Sequence, residues 1–289
     1  MKYLLGAIAI LSALTCGARA DTILFVGNSF TSGELASAKF YHAWDVKDLN
    51  PPNERNQTIG GIPAIFKEFT REAGLSYQVT LETEGGKGLD YHYTQKLPLL
   101  DKAWDVVVLQ SYSTLDENKQ GNPELLTDYT RKFDAAFHAR NPNVKIYLNA
   151  TWSRADKTYQ TGEPWYGKPI TSMAQDVAAG YEIARKSSPG IAGVIQTGLA
   201  WNRAFATGFA DPNPYDGIGP GQINLWADDS YHASDFGYYL EALMIFGKVT
   251  GRDPLSLGHR ERVGRDFGFT RKQITALQQI AHDELTAQK

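Results

Sequence analysis

Ser29 sits in a Gly27-Asn28-Ser29-Phe30-Thr31 turn directly after the apolar run Ile23-Leu24-Phe25-Val26. Far along the chain, Asp229 and His232 stand in Asp-Ser-Tyr-His, just ahead of a helical stripe. These three side chains supply a hydroxyl, an imidazole and a carboxylate. A hydroxyl is a weak nucleophile until a base takes its proton, and histidine is the usual base near neutral pH. The base needs a carboxylate to fix its tautomer and to stabilise the imidazolium that forms. The chemistry this set could perform is acyl transfer. Alone, Gly-Asn-Ser is also an ordinary strand-to-helix turn, and Asp-x-x-His also suits a helix N-terminus. Asp229 can reach the His232 ring only if the loop carrying both folds back on itself.

A tetrahedral oxyanion needs fixed N–H donors. The Gly85-Gly86-Lys87-Gly88 turn and Gln110-Ser111, at two adjacent strand ends, are placed to provide them. Both segments also read as a plain turn and a satisfied strand end.

Strand-like and helix-like stretches alternate around these residues. Thr22 to Val26, Tyr77 to Glu84, Trp104 to Gln110, Lys145 to Ala150 and Ile191 to Gln196 read as buried strands. Helices are expected over about 61–73, 123–139, 171–186, 234–250 and 270–287 from their apolar spacing and their Pro, Gly and Ser boundaries. Such alternation predicts βαβ units, a mainly parallel five-stranded sheet and helices on both faces. Ligands of open parallel sheets bind beyond the strand C-termini, where Gly27-Asn28-Ser29, Gly85-Gly86 and Gln110-Ser111 fall. Three long loops, 32–59, 152–169 and 211–222, are expected to flank that rim. They carry Tyr41, Trp44, Trp152, Tyr159, Trp165, Tyr166 and Tyr215. Aromatic faces of this kind stack on sugar rings or simply pack the loops.

The ordered set Gly27-Asn28-Ser29-Phe30, Gly85-Gly86, Val107-Val108-Leu109-Gln110 and Asp229-x-x-His232-x-Ser234-x-x-Gly237-Tyr238-Tyr239-Leu240 resembles the SGNH (GDSL-type) hydrolases, from residue 22 to about 250. The resemblance implies a flavodoxin-like three-layer α/β/α fold and hydrolysis of acyl esters. It implies Ser29 as nucleophile, His232 as base, Asp229 as its orienter, and an oxyanion hole with the Ser29 N–H and Gly86. The chain departs from the family pattern twice. Gly-Asn-Ser replaces the usual Gly-Asp-Ser, and Leu-Gln-Ser replaces the usual Gly-x-Asn-Asp after the third strand, which leaves Gln110 as the third donor. The variant resembles a branch with a Gly-Asn-Ser-Phe-Thr start.

Residues 1–20 read as a cleaved signal peptide: Lys2, an apolar stretch from Tyr3 to Leu14, then Ala18-Arg19-Ala20 before Asp21. A product exported to the periplasm or beyond is expected, with 21–289 as a single domain. The only cysteine, Cys16, lies in that leader, so no disulfide and no thiolate metal site is expected downstream. The chain carries 29 basic and 32 acidic residues with no basic cluster, which argues against nucleic acid or an anionic membrane as partner. No later apolar run reaches membrane-spanning length. No Walker loop, Gly-x-Ser-x-Gly elbow, His-Glu-x-x-His helix or Gly-x-Gly-x-x-Gly fingerprint occurs. Asp211 to Gly217 has oxygen ligands but not the spacing of an EF loop, and reads as a turn. The expectation is a serine esterase without metal or cofactor, acting on a small-molecule or glycan ester with a short acyl group. A glycan-binding protein on a degenerate hydrolase scaffold and an acyltransferase with the same triad are the rivals.

Overall fold

A computed structural model describes residues 20–288. The proposed leader therefore lies, but for Ala20, outside the described residues. Six strands form one sheet: β1 (Asp21–Gly27), β2 (Lys47–Asp48), β3 (Tyr77–Thr83), β4 (Val106–Leu109), β5 (Lys145–Ala150) and β6 (Ile191–Gln196). Their order is β2-β3-β1-β4-β5-β6, and every pairing is parallel. Without the two-residue β2 this is the flavodoxin-like order, whose switch point lies between β1 and β4. Five strands were expected; the sixth, β2, is an edge pairing of Lys47 and Asp48 with Thr80 and Leu81 inside the 32–59 segment.

Each central strand is apolar on both sides because both faces of the sheet are covered. Ile23 and Phe25 of β1 enter one core, while Leu24 and Val26 enter the other. Val106 and Val108 of β4 alternate with Val107 and Leu109 in the same way. The first core is closed by α1 (Gly61–Glu72), α4 (Thr197–Ala206), α5 (Asp235–Thr250) and α6 (Arg271–Ala287). The second is closed by α2 (Glu124–Arg140) and α3 (Thr171–Lys186). The result is the three-layer α/β/α sandwich. Helix α6 starts on a capping box, Thr270 with Gln273, and α5 on Ser234, whose hydroxyl accepts from the Gly237 N–H.

The aromatics of the long loops divide between core and surface. Trp152 and Trp165 are fully buried and Tyr41 is nearly so, whereas Trp44, Tyr166 and Tyr215 are exposed. Trp152 stacks between Phe30 and Trp201 at centroid distances of 4.3 and 4.6 Å. It is a core residue. The Asp211 segment is a turn: the two Asp211 carboxylate oxygens accept from the Asn213 and Gly219 N–H groups.

Candidate active site

The end of β1 runs straight into a one-turn helix, Ser29–Ser32, capped by Asn28. The Asn28 carboxamide does three things. Its oxygen accepts from the Phe30 N–H (3.1 Å), and its nitrogen donates to the carbonyls of Lys87 (2.9 Å) and Ser111 (3.2 Å). One buried side chain thus ties the ends of β1, β3 and β4 together. Gly27 is needed because a Cβ there would meet Thr31 Oγ1 at 2.2 Å and Gln110 Oε1 at 2.7 Å. Ser29 occupies the first helical position, so its N–H has no acceptor within the helix and is free to point at an anion.

His232 arrives from the opposite end of the chain. Residues 226–234 fold back on themselves: Trp226 bridges Ala233, the Ala227 N–H donates to the His232 carbonyl (2.8 Å), and Ser230 takes a left-handed φ of 57°. Asp229 holds the bend. Its Oδ1 accepts from the backbone N–H groups of Tyr231 (3.0 Å) and His232 (2.9 Å). Its Oδ2 lies 2.6 Å from His232 Nδ1. The loop is fastened to the body by Trp152 Nε1, which donates to the Tyr231 carbonyl (3.2 Å), and by Trp226 Nε1, which donates to the Ser153 carbonyl (3.0 Å).

His232 Nε2 lies 2.9 Å from Ser29 Oγ. The Asp229 carboxylate can only accept, so Nδ1 carries the proton and Nε2 presents its lone pair to the serine hydroxyl. Burial pushes the Asp229 carboxyl up, but the hydrogen bonds from the His232 ring and from the Tyr231 and His232 N–H groups outweigh it. Asp229 therefore ends below the ordinary carboxylate range and is ionised at neutral pH. Ser29 and His232 are both mostly buried, 8% and 9% exposed, so the pair is screened from bulk water without being sealed from it.

The oxyanion candidates separate. Gly86, with a left-handed φ of 70°, lines a polar cleft of about 180 Å³ together with Asn28, Tyr112, Ser113, Arg154 and Tyr231. Gln110 does not face that cleft. Its Oε1 accepts from the Asn28 N–H (2.9 Å) and Thr31 Oγ1 (3.1 Å), and its Nε2 donates to the Ser111 carbonyl. The expected third donor is instead a brace under the nucleophile turn. The Gln120 Oε1, buried and without a hydrogen-bond partner, also belongs to the cleft wall.

Sequence reading also missed the brace made by Phe30 and Tyr231. The Tyr231 ring lies 4.1 Å from the His232 ring, and Phe30 lies 5.3 Å from Tyr231 and 5.7 Å from His232. The Arg154 guanidinium covers Tyr231 at 3.7 Å. The adjacency of Phe30 to Ser29 and of Tyr231 to His232 was the available signal. His92 is buried within the His92–Lys96 π-turn and meets Glu82 at 2.6 Å, as a structural pair behind the Gly-rich turn. One group of possible metal ligands, His42, Asp45 and Glu68, occurs among the described residues, and Arg71 is bonded to Glu68 there.

No protein-family model matches the chain, and no curated protein sequence matches it. Solved structures do. A DUF4886 family protein from Bacteroides uniformis is 17% identical, with a TM-score of 0.62, covering 93% of this chain and 95% of that one. A protein from Slackia heliotrinireducens assigned to the SGNH hydrolases is 20% identical, with a TM-score of 0.53, covering 80% of this chain and all of the other. A GDSL-like lipase from Parabacteroides merdae is 19% identical, with a TM-score of 0.52, over 81% and 96% of the two chains. At these identities the likeness is one of fold.

Proposed function

We propose that this chain is a serine esterase that removes short acyl groups, acetyl foremost, from the hydroxyls of a carbohydrate. The single observation that carries the reading is the linear relay from Ser29 Oγ through the His232 ring to the Asp229 carboxylate, at 2.9 and 2.6 Å. In water such a hydroxyl is inert. Here its proton has an acceptor already in place and in the right tautomer.

The ester carbonyl carbon is attacked by Ser29 Oγ while its proton passes to His232 Nε2. The imidazolium is stabilised by the ionised Asp229. The carbonyl oxygen takes the negative charge, and the Ser29 N–H and the Gly86 turn are the donors assigned to it. Collapse breaks the bond to the alcohol, which leaves with the proton from His232. Water then gives a proton to His232 and attacks the acyl-serine; the acid departs, and the proton returns to Ser29. The fold likeness to hydrolase structures agrees with this chemistry and does not carry it. The small cleft at Gly86 supports a short acyl group over a fatty one, because its walls are mostly polar side chains and offer an alkyl chain little apolar surface to bury against.

The test is steady-state turnover of 4-nitrophenyl acetate, butyrate and octanoate by the wild type and by Ser29→Ala. Turnover falling with chain length and lost in the variant supports the reading. Wild-type turnover no faster than that of Ser29→Ala removes it and leaves the binding-protein alternative.

A further inference from the structure

A second depression borders the same loop, and the chemistry above makes no use of it. It is a groove of about 660 Å³ between the 34–40 segment and residues 224–236. The Glu34 N–H on its wall donates to the Ser29 carbonyl (3.0 Å), and Ala227, Asp228 and Ser234 on the other wall flank Asp229 and His232 in sequence. The groove is built before any ligand arrives, since Asp235 Oδ1 accepts from the Ala38 N–H (3.0 Å) and Tyr238 Oη donates to the Glu34 carbonyl (3.0 Å).

Its lining is of two kinds. Leu35 and Phe40 stand out to solvent, 59% and 42% exposed. Leu35 does so on a left-handed backbone, φ 62°, a conformation costly for leucine that persists only where the surroundings enforce it. The same lining carries the polar side chains of Asn224, Asp228 and Asp235. Lys39 and Glu34 neutralise each other at 2.5 Å, so the two aspartates leave the groove acidic.

We propose that this groove binds the alcohol half of the ester, and that this half is an uncharged, polyhydroxylated oligomer. The inference rests on the esterase reading and adds to it the size, charge and seat of the substrate. A cleft of about 180 Å³ holds roughly six waters' worth of volume, enough for a short acyl group. The groove is open to solvent along its length, and its volume of about 660 Å³ lies within the roughly 300–1,000 Å³ of small-ligand sites. Sugar rings present apolar faces to Leu35 and Phe40 and hydroxyl donors to Asn224, Asp228 and Asp235. A polyanion meets uncompensated repulsion from the same aspartates.

The experiment compares kcat/KM on acetylated neutral oligosaccharides of increasing length, on acetylated uronic-acid oligomers of the same lengths, and on 4-nitrophenyl acetate. Binding energy gained away from the reacting carbonyl should raise kcat/KM about tenfold or more along the neutral series and leave the uronate series flat. The double variant Leu35→Ser/Phe40→Ser, at two exposed positions, should lose that gain along the neutral series, so that its longest and shortest neutral oligosaccharides are cleaved with nearly equal kcat/KM while its unfolding temperature stays that of the wild type. A flat neutral series, or equal gains on the uronates, with 4-nitrophenyl acetate still hydrolysed, overturns the inference and spares the esterase reading. Absence of Ser29-dependent turnover on every ester overturns both.

Discussion

Asn28→Asp changes one atom and should be severe. The position is 5% exposed, and its nitrogen donates to the Lys87 and Ser111 carbonyls. A carboxylate keeps the acceptor role toward the Phe30 N–H but cannot donate to either carbonyl. It also sets a buried negative charge against two carbonyl oxygens. Leaving a buried polar group unpaired costs about 1–3 kcal/mol. Two such losses, partly offset by the stronger bond to the Phe30 N–H, come to about 3 kcal/mol. For a chain of this size that is a fall in Tm of roughly 6–12 °C. The sign with pH follows from the same contacts. The new carboxyl is pushed up in the folded protein, so its destabilisation is smallest when it is protonated in both states and grows as pH rises above the unfolded value. The assay is thermal unfolding at pH 5 and pH 8, with ester turnover measured alongside. A variant within about 0.5 kcal/mol of wild type at both pH values, and as active, would show that the carboxamide does not hold the three strand ends together.

Three further outcomes are expected. Asp229→Asn should lower kcat by up to about 10⁴ with KM nearly unchanged, measured on 4-nitrophenyl acetate, because the amide cannot hold the Nδ1-protonated tautomer or stabilise the imidazolium. Trp152→Phe keeps the stack on Phe30 but removes the hydrogen bond to the Tyr231 carbonyl; it should cost about 1 kcal/mol in unfolding free energy and a larger share of kcat than of KM. Burial raises Glu241 to about 8, against the hydrogen bond from Asn149. The folded protein therefore holds that proton more tightly than the unfolded chain, and this contribution to stability is lost as pH rises from about 4.5 to about 8. Glu241→Gln should flatten the decline, by up to about 1.4 kcal/mol per pH unit, in denaturant melts taken across that range.

The parts of the fold written in local pattern were legible. The strand expected over Trp104 to Gln110 forms over its central Val106–Leu109, and the helix expected over about 171–186 forms as Thr171–Lys186. What escaped depends on partners distant in sequence. Lys47 and Asp48 have no strand character of their own and pair only because the β3 edge is beside them. Helix α4 begins at Thr197 with no break after Gln196, so neither a turn residue nor a cap marks it. At the site, the types of Ser29, Asp229 and His232 suggested a relay, and the resemblance to the SGNH hydrolases supplied their roles. The direction of the Gln110 carboxamide was not readable, because Thr31 and the Asn28 N–H claim it from another strand end. Trp152 left two readings open for a related reason: an aromatic in an irregular segment can serve as surface or as core until its stacking partners, here Phe30 and Trp201, are known.

The central claim is that His232, held by Asp229, makes one serine hydroxyl of this chain nucleophilic. Intact-mass and peptide mass spectrometry after brief exposure to a fluorophosphonate test it most directly. The account predicts a single adduct on the peptide holding Ser29, absent in Ser29→Ala and formed far more slowly in His232→Ala. An unmodified wild-type protein, or an adduct that survives in Ser29→Ala, contradicts it.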